Sequence, residues 1–312
     1  MKLLPEFALI HDIFEGSPAE VRFAVAYLHK TLLSDGLVRN LRNGAWGQML
    51  REQAKDKTLA WSVRKLITEL LEALRKDKRL LPSPPCASAL PESAIEWCQE
   101  ALASHRADPL DAIIAGTITA QTCGSETVRS LDELPDRSGD LEPARSLRVR
   151  HQTADYLRHL HGVLAHARRV CFIDPYLGES NYSEFPNIVL AMRNRSSPPE
   201  IELHRAQKYG GAVIRKESEW REKFRDWDVQ FSAARQRVKI FIWGKFHNRY
   251  LLSDLVSLQV GGGFHTSKDV SAVDHWTRLS REDSIDLDGK FSENSSDQLA
   301  CLVCAPFYIG DK

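Results

Sequence analysis

The sequence predicts an α/β (α+β) chain in two parts: a helical amino-terminal domain over residues 1–110, then a mixed-sheet domain flanked by helices over residues 148–312. Three observations predict it. Residues 1–110 space their apolar side chains by threes and fours. Residues 148–312 alternate helical patterns with short apolar runs. Between them, residues 111–147 read as one short strand and a polar, acidic linker with Gly and Pro but no periodicity. A chain of 312 residues is also long enough for two modest cores.

The first helix is predicted from its start. Ser17 can cap, Pro18 fits the first turn and Glu20 can close a capping box, so a helix should run to about Ser34 and stop at Gly36. A second helix follows Thr58, with Leu59, Val63, Leu66, Leu70 and Leu74 forming one stripe until Pro82 to Pro85 break it. A third starts near Pro91 and should bury Ile95, Cys98 and Leu102. After Pro109, the run Ala112–Ala115 is a strand, and residues 122–146 are the exposed linker.

In the second part, residues 151–169 are helical, and Val170–Asp174 is a buried strand stopped by Pro175. A short helix over 186–194, a strand at Ile201–Arg205 and a helix over 218–228 follow. Three further strands are predicted at Val238–Ile242, Tyr250–Asp254 and Leu255–Val260. Residues near the end, Leu299 to Ile309, read as a core strand. The first three strands named should be neighbours in one sheet.

Composition narrows the function classes. No apolar run approaches the ~20 residues that span a bilayer, and the first residues lack the pattern of a secretory signal. Six cysteines show no framework spacing, so a reduced, cytoplasmic protein is expected. The formal net charge of zero hides an asymmetry: residues 148–250 carry 19 Lys and Arg against 11 Asp and Glu, or +8. A basic segment of this kind suits a phosphate-bearing partner such as nucleic acid, although solvated helix faces alone would give the same count.

The chemistry concentrates at residues 245–262. His247 and Arg249 lie two apart, so on an extended strand both project to one face. An imidazole there can act as nucleophile or proton donor, and a guanidinium can take two phosphate oxygens. Asp254 follows Arg249 after four residues, and Gly261 and Gly262 follow after six more, letting backbone come close to the site.

This spacing resembles the half-motif of the phospholipase D superfamily, in which His-x-Lys, four residues, Asp, and six residues precede a glycine pair. Arg249 stands at the lysine position. The stretch is similar to a His-Asp-Arg variant found in the carboxy-terminal phospholipase D-like domain that accompanies a microtubule-interacting and trafficking domain, with Asn248 replacing the aspartate. Gly263 and Phe264 stand where active members carry Ser or Thr and Asn. The resemblance covers about half the chain, residues 148–312. It implies His247 as nucleophile and acid, Arg249 as phosphate clamp, and Asp254 either orienting His247 or pinning the hairpin. Lys245, Gly261 and Gly262 would contact the substrate. No metal or cofactor is implied, because a phosphohistidine replaces a metal-activated water. One half-motif makes half a site, so hydrolysis of nucleic acid would need a homodimer with two His247 residues meeting at a twofold axis. The alternative is an inactive module binding nucleic acid, anionic lipid or a protein partner. Family association also suggests an adaptor in a prokaryotic defence assembly, with the amino-terminal domain holding a protein partner.

Other constellations are read as structural. His204 with Lys208 lacks the motif spacing, Cys301 and Cys304 lack a second pair for zinc, and His159, His161 and His166 do not share one helix face. Tyr209-Gly210-Gly211 reads as a turn, and Trp220, Phe224 and Trp227 as a core stripe.

Overall fold

The computed structural model describes residues 2–29, 35–134, 141–193, 195, 197–207, 216–295 and 302–310. Ser34, Lys208, the Tyr209–Gly211 turn and Cys301 lie outside the described residues. The chain divides into two compact units, Met1–Ala144 and Arg145–Lys312. It is a mixed α/β protein with one parallel and one mixed sheet.

Unit 1 contains the three predicted helices: α1 (Pro18–Leu28), α3 (Trp61–Lys76) and α4 (Ala94–Ala107), with a further α2 (Leu41–Gln53). The capping box at α1 is present, with Glu20 N donating to Ser17 Oγ at 3.4 Å and Ser17 N to Glu20 Oε2 at 2.8 Å. The stripe of α3 is centred on Val63, Ile67, Leu70, Leu71 and Leu74, turned slightly from the one predicted. On α4, Cys98 is buried as predicted, together with Trp97 and Ala101, while Ile95 is exposed and Leu102 is partly buried against the core.

A purely helical unit 1 is corrected by the structure. Strands β1 (Glu6–Leu9), β2 (Leu37–Asn40), β3 (Leu80–Pro82), β4 (Ala112–Ala115) and β5 (Val128–Ser130) form a parallel sheet in the order β3-β2-β1-β4-β5. These strands are three or four residues long, too short to show a period, and buried parallel strands do not alternate. Strand β2 also hides behind its polarity: buried Arg39 is held by Glu6 at 2.7 Å and Asp108 at 2.9 Å. The reading of residues 111–147 as one strand and a linker is likewise corrected, because helix α5 (Thr117–Cys123) and β5 also lie in that segment and belong to unit 1. Thr119, Val128 and Ser130 are buried despite the polar composition of the segment.

Unit 2 is built on a mixed sheet of eight strands: β6 (Ser146–Arg150), β7 (Arg169–Ile173), β8 (Glu200–Ala206), β9 (Val238–Trp243), β10 (Tyr250–Ser253), β11 (Leu258–Val260), β12 (Val273–Arg278) and β13 (Phe307–Ile309). Their order is β13-β9-β8-β7-β10-β11-β12-β6. The three strands predicted to be neighbours are so, with β7, β8 and β9 parallel. Helix α6 (Thr153–His166) follows β6, and α7 (Phe185–Leu190), α8 (Glu217–Lys223), α9 (Arg225–Ala233) and α10 (Arg281–Lys290) complete the layers. Phe224 separates α8 from α9, and Trp220, Phe224 and Trp227 are core as predicted. One sheet face packs Cys171, Ile173, Phe246, Tyr250 and Leu252 against Phe291. The other meets Phe185, Phe264 and Trp276, whose rings contact Phe172 or one another.

Candidate functional site

Strand register gathers the polar groups at one end of the unit 2 sheet. β10 runs antiparallel to β7 with Tyr250 opposite Ile173, which sets Arg249 across from Asp174, just past the end of β7. β10 also pairs with β11, Tyr250 opposite Gln259, so the glycines ending β11 return beside Arg249. β11 pairs with β12 and β12 with β6, which delivers Asp274 and His151 to the same end.

Asp174 is the centre of this cluster and has no exposed surface. Its Oδ1 accepts Tyr176 N at 3.0 Å, and its Oδ2 accepts Tyr182 Oη at 2.9 Å and Phe264 N at 3.1 Å. Arg249 Nε stands 3.6 Å from Oδ1, an ion-pair contact, and Arg249 Nη1 donates to Gly261 O at 3.1 Å. Burial pushes the Asp174 carboxyl above its usual range, against these donors and the Arg249 charge. Burial and the Asp174 charge push Tyr182 up in turn.

The glycines are there because the backbone runs against side chains. A Cβ on Gly262 would lie 2.8 Å from His151 Cε1. At Gly263 it would lie 2.3 Å from Asp174 Oδ2, and its φ of +93° already disfavours any side chain. Gly262 N donates to Asp274 Oδ2 at 2.7 Å, where Trp276 Nε1 also donates at 3.1 Å. Beyond the glycines, His265 stacks on His151 with ring centroids 4.3 Å apart. His151 Nδ1 lies 2.8 Å from Tyr156 Oη, which donates to His265 O at 2.7 Å. Burial and the neighbouring His151 lower the His265 pKa.

The predicted residues are distributed as follows. Arg249, Gly261 and Gly262 belong to this cluster. His247 is exposed and borders a hollow of about 430 Å³ with Lys245, on the side of the sheet that Tyr250 faces. Arg249, next to Tyr250 along the chain, projects to the other face. Asp254 corrects the orienting role. It sits beyond the opposite end of β10, and its Oδ1 accepts Arg168 N at 2.9 Å and Arg169 N at 3.4 Å. It pins the start of β7 to the end of β10. The strand end at Asp174 and Pro175 is legible in the sequence, but no local pattern marks Asp174 as a site residue. None marks His151, Asp274 or His265 either, which converge only through strand pairing.

One further cluster has metal-ligand chemistry: Cys171, Glu202 and His204, all buried, with donor atoms within 4.8 Å of one another. Its protons are already assigned by its neighbours. Trp243 Nε1 donates to His204 Nδ1 at 3.0 Å, which places the imidazole proton on Nε2, facing Glu202 at 3.5 Å. A histidine that ligates through Nε2 donates from Nδ1, the reverse of this arrangement. Cys171 Sγ donates to Glu202 at 2.9 Å and Arg169 pairs with it at 2.6 Å. Burial works to raise Glu202, but donation from His204 and Cys171 and the Arg169 charge hold it at about 2. The cluster is a closed hydrogen-bond network.

Unit 1 has its own cavity of about 590 Å³ at the carboxyl ends of β1, β4 and β5, where the strand order reverses. Asp12, Thr117 and Asp132 line it; Asp12 accepts Gly116 N at 3.0 Å and Thr117 donates to Asp132 at 2.5 Å. Openings at such a reversal are where open α/β sheets bind ligands.

The fold and site define a two-unit α/β protein whose second unit gathers an arginine, a buried aspartate and a glycine loop at one sheet end. No protein-family model and no curated protein matches the chain. Among solved structures it is similar to polyphosphate kinase from Porphyromonas gingivalis, with a TM-score of 0.30 and 16% identity over 49% of this chain. The chain spans only 26% of that kinase. It is also similar to TrmBL2, an archaeal chromatin protein whose structure shows a novel mode of DNA binding, with a TM-score of 0.28 and 11% identity over 72% of this chain and 78% of that one. At TM-scores this low, neither alignment establishes a shared fold or activity.

Proposed function

We propose that unit 2 is a phospholipase D-like domain that binds a nucleic-acid phosphodiester at the loop formed by Gly261, Gly262 and Gly263. The observation that carries this reading is the placement of Arg249 beside that loop, fixed by Asp174 on one side and Gly261 O on the other. A guanidinium held by its neighbours loses little freedom when it takes phosphate oxygens. The +8 balance of residues 148–250 supplies further cations for a polyanion. Binding is favoured over hydrolysis because Asp254 is engaged elsewhere and Arg249 faces away from the hollow that His247 borders.

A second reading, a nuclease active as a homodimer, is supported by the exposure of His247, which leaves it accessible to a second copy. Titration of oligonucleotide binding against salt separates these readings from a solely structural role. Phosphate contacts predict a log–log slope of about −0.7 to −0.9 per phosphate neutralised. Arg249→Ala should weaken affinity by about 1.5–3 kcal/mol. Salt-independent or absent binding by the whole chain would remove nucleic acid as the ligand.

A further inference from the structure

The hollow bordered by His247 has a different character from the glycine loop. Its floor is aromatic: Phe246 and Phe291 meet at 82° with centroids 5.3 Å apart, and Tyr250 lies beside them. Its rim carries Lys245 and Lys290, both exposed. At the mouth, Asn248 Nδ2 donates to Tyr250 Oη at 3.0 Å, which fixes a carboxamide and a hydroxyl over the apolar floor. Arg249 is two residues from His247, at most about 7 Å between Cα atoms.

We infer that this hollow is a subsite for one unpaired base, so that the ligand of unit 2 is single-stranded nucleic acid. The inference rests on the phosphodiester reading above and adds the class of strand to it. A backbone phosphate held at Arg249 and the glycine loop lies at the end of β10, and the next nucleoside can turn past Asn248 and His247, around that end of the sheet, to the hollow on its other face. Its volume of about 430 Å³ lies in the range of small-molecule sites. Aromatic floors with cationic rims hold single strands, because every base has a face to stack and every linkage has a charge. A duplex keeps its bases stacked inside and offers nothing to such a floor. Beyond their mutual hydrogen bond, Asn248 keeps its carbonyl oxygen and Tyr250 its hydroxyl proton, which a base edge can match with its donors and acceptors and an acyl chain cannot.

The test uses the full chain and three probes at one salt concentration: an oligothymidylate, an abasic strand of equal length, and a duplex. The base-bearing strand should bind about fivefold or more tighter than the abasic strand, the ratio expected for stacking one base. Asn248→Ala should narrow that ratio, and Lys290→Ala should weaken both strands alike; both positions are exposed, so the fold is retained. Equal affinity for the base-bearing and abasic strands, or equal affinity for the duplex, overturns the base subsite and leaves the phosphodiester reading standing. Failure of all three probes to bind overturns both, and binding to phosphatidylserine vesicles in that case would assign the hollow to an anionic lipid.

Discussion

Arg249 stands across the β7–β10 ladder from Asp174, its Nε 3.6 Å from Oδ1 of a carboxylate with no exposed surface. A buried carboxylate is tolerated when donors surround it, and here Tyr176, Tyr182 and Phe264 take that role. Asp174 in turn fixes the guanidinium against the glycine loop.

Asp174→Ala should therefore cost stability and affinity together. Three donors and the Arg249 charge lose their acceptor, and breaking a buried pair of this kind costs about 3–5 kcal/mol. Asp174→Asn keeps the shape and should lose less stability, yet it releases the guanidinium. Calorimetry and oligonucleotide titration on the folded Asn variant measure both. Unchanged affinity there would leave Asp174 a folding residue and nothing more.

Asp254 should behave differently from the rest of its motif. Asp254→Ala removes the acceptor for Arg168 N and Arg169 N, both reachable by water, so stability should fall by about 0.5–1.5 kcal/mol. Phosphodiester affinity, measured below the new melting temperature, should stay within twofold of the original protein.

Gly263→Ala and Gly289→Ala should have opposite signs. A Cβ at Gly263 meets Asp174 and Arg249 on backbone with positive φ, and strain of this kind costs about 1–3 kcal/mol before any clash. Gly289 lies in α10 with nothing within 4 Å of an added Cβ, so alanine should stabilise by roughly 0.5–1 kcal/mol. Thermal midpoints of the two variants read the difference directly.

Stability should decline in two stages as the solution is acidified. His204 is kept neutral by burial, below its ordinary 6.5, so its contribution is whole above 6.5 and erodes as pH falls beneath it. Glu202 is held at about 2 against an ordinary 4.5, so its contribution is whole above 4.5 and is lost as pH falls toward 2. Denaturant melts across this range should show both stages, and Glu202→Gln should flatten the lower one.

Hydrolysis, where a dimer performs it, should survive EDTA, because a histidine pair replaces a metal-bound water. His247→Ala should then abolish turnover while moving the thermal midpoint little, since the side chain is exposed. Chelator-sensitive cleavage of an oligonucleotide, or cleavage retained by the alanine variant, would count against the phosphohistidine route.

Much of unit 2 was legible because its signals are local. The apolar runs of β7, β8 and β9 and the stop at Pro175 are written in consecutive residues, and the half-motif spacing marked Arg249 and the glycines. Unit 1 was read through its helices and the one strand Ala112–Ala115. Its other short parallel strands carry no alternation, and the charge of the buried Arg39 hides β2.

The sequence by itself determined the α/β class, the capped helix start at Ser17, the three neighbouring strands and the Arg249–glycine pattern. Those features follow from spacing and capping within a few residues. Only the tertiary structure decided that Asp254 pins β7 while Asp174, 75 positions from Arg249 in the chain, becomes its partner. It also decided that His151, Asp274 and His265 meet beside the glycine loop. The physical reason is register: hydrogen-bonded pairing of β7, β10, β11, β12 and β6 sets which distant side chains share one end of the sheet, and no local pattern encodes that pairing.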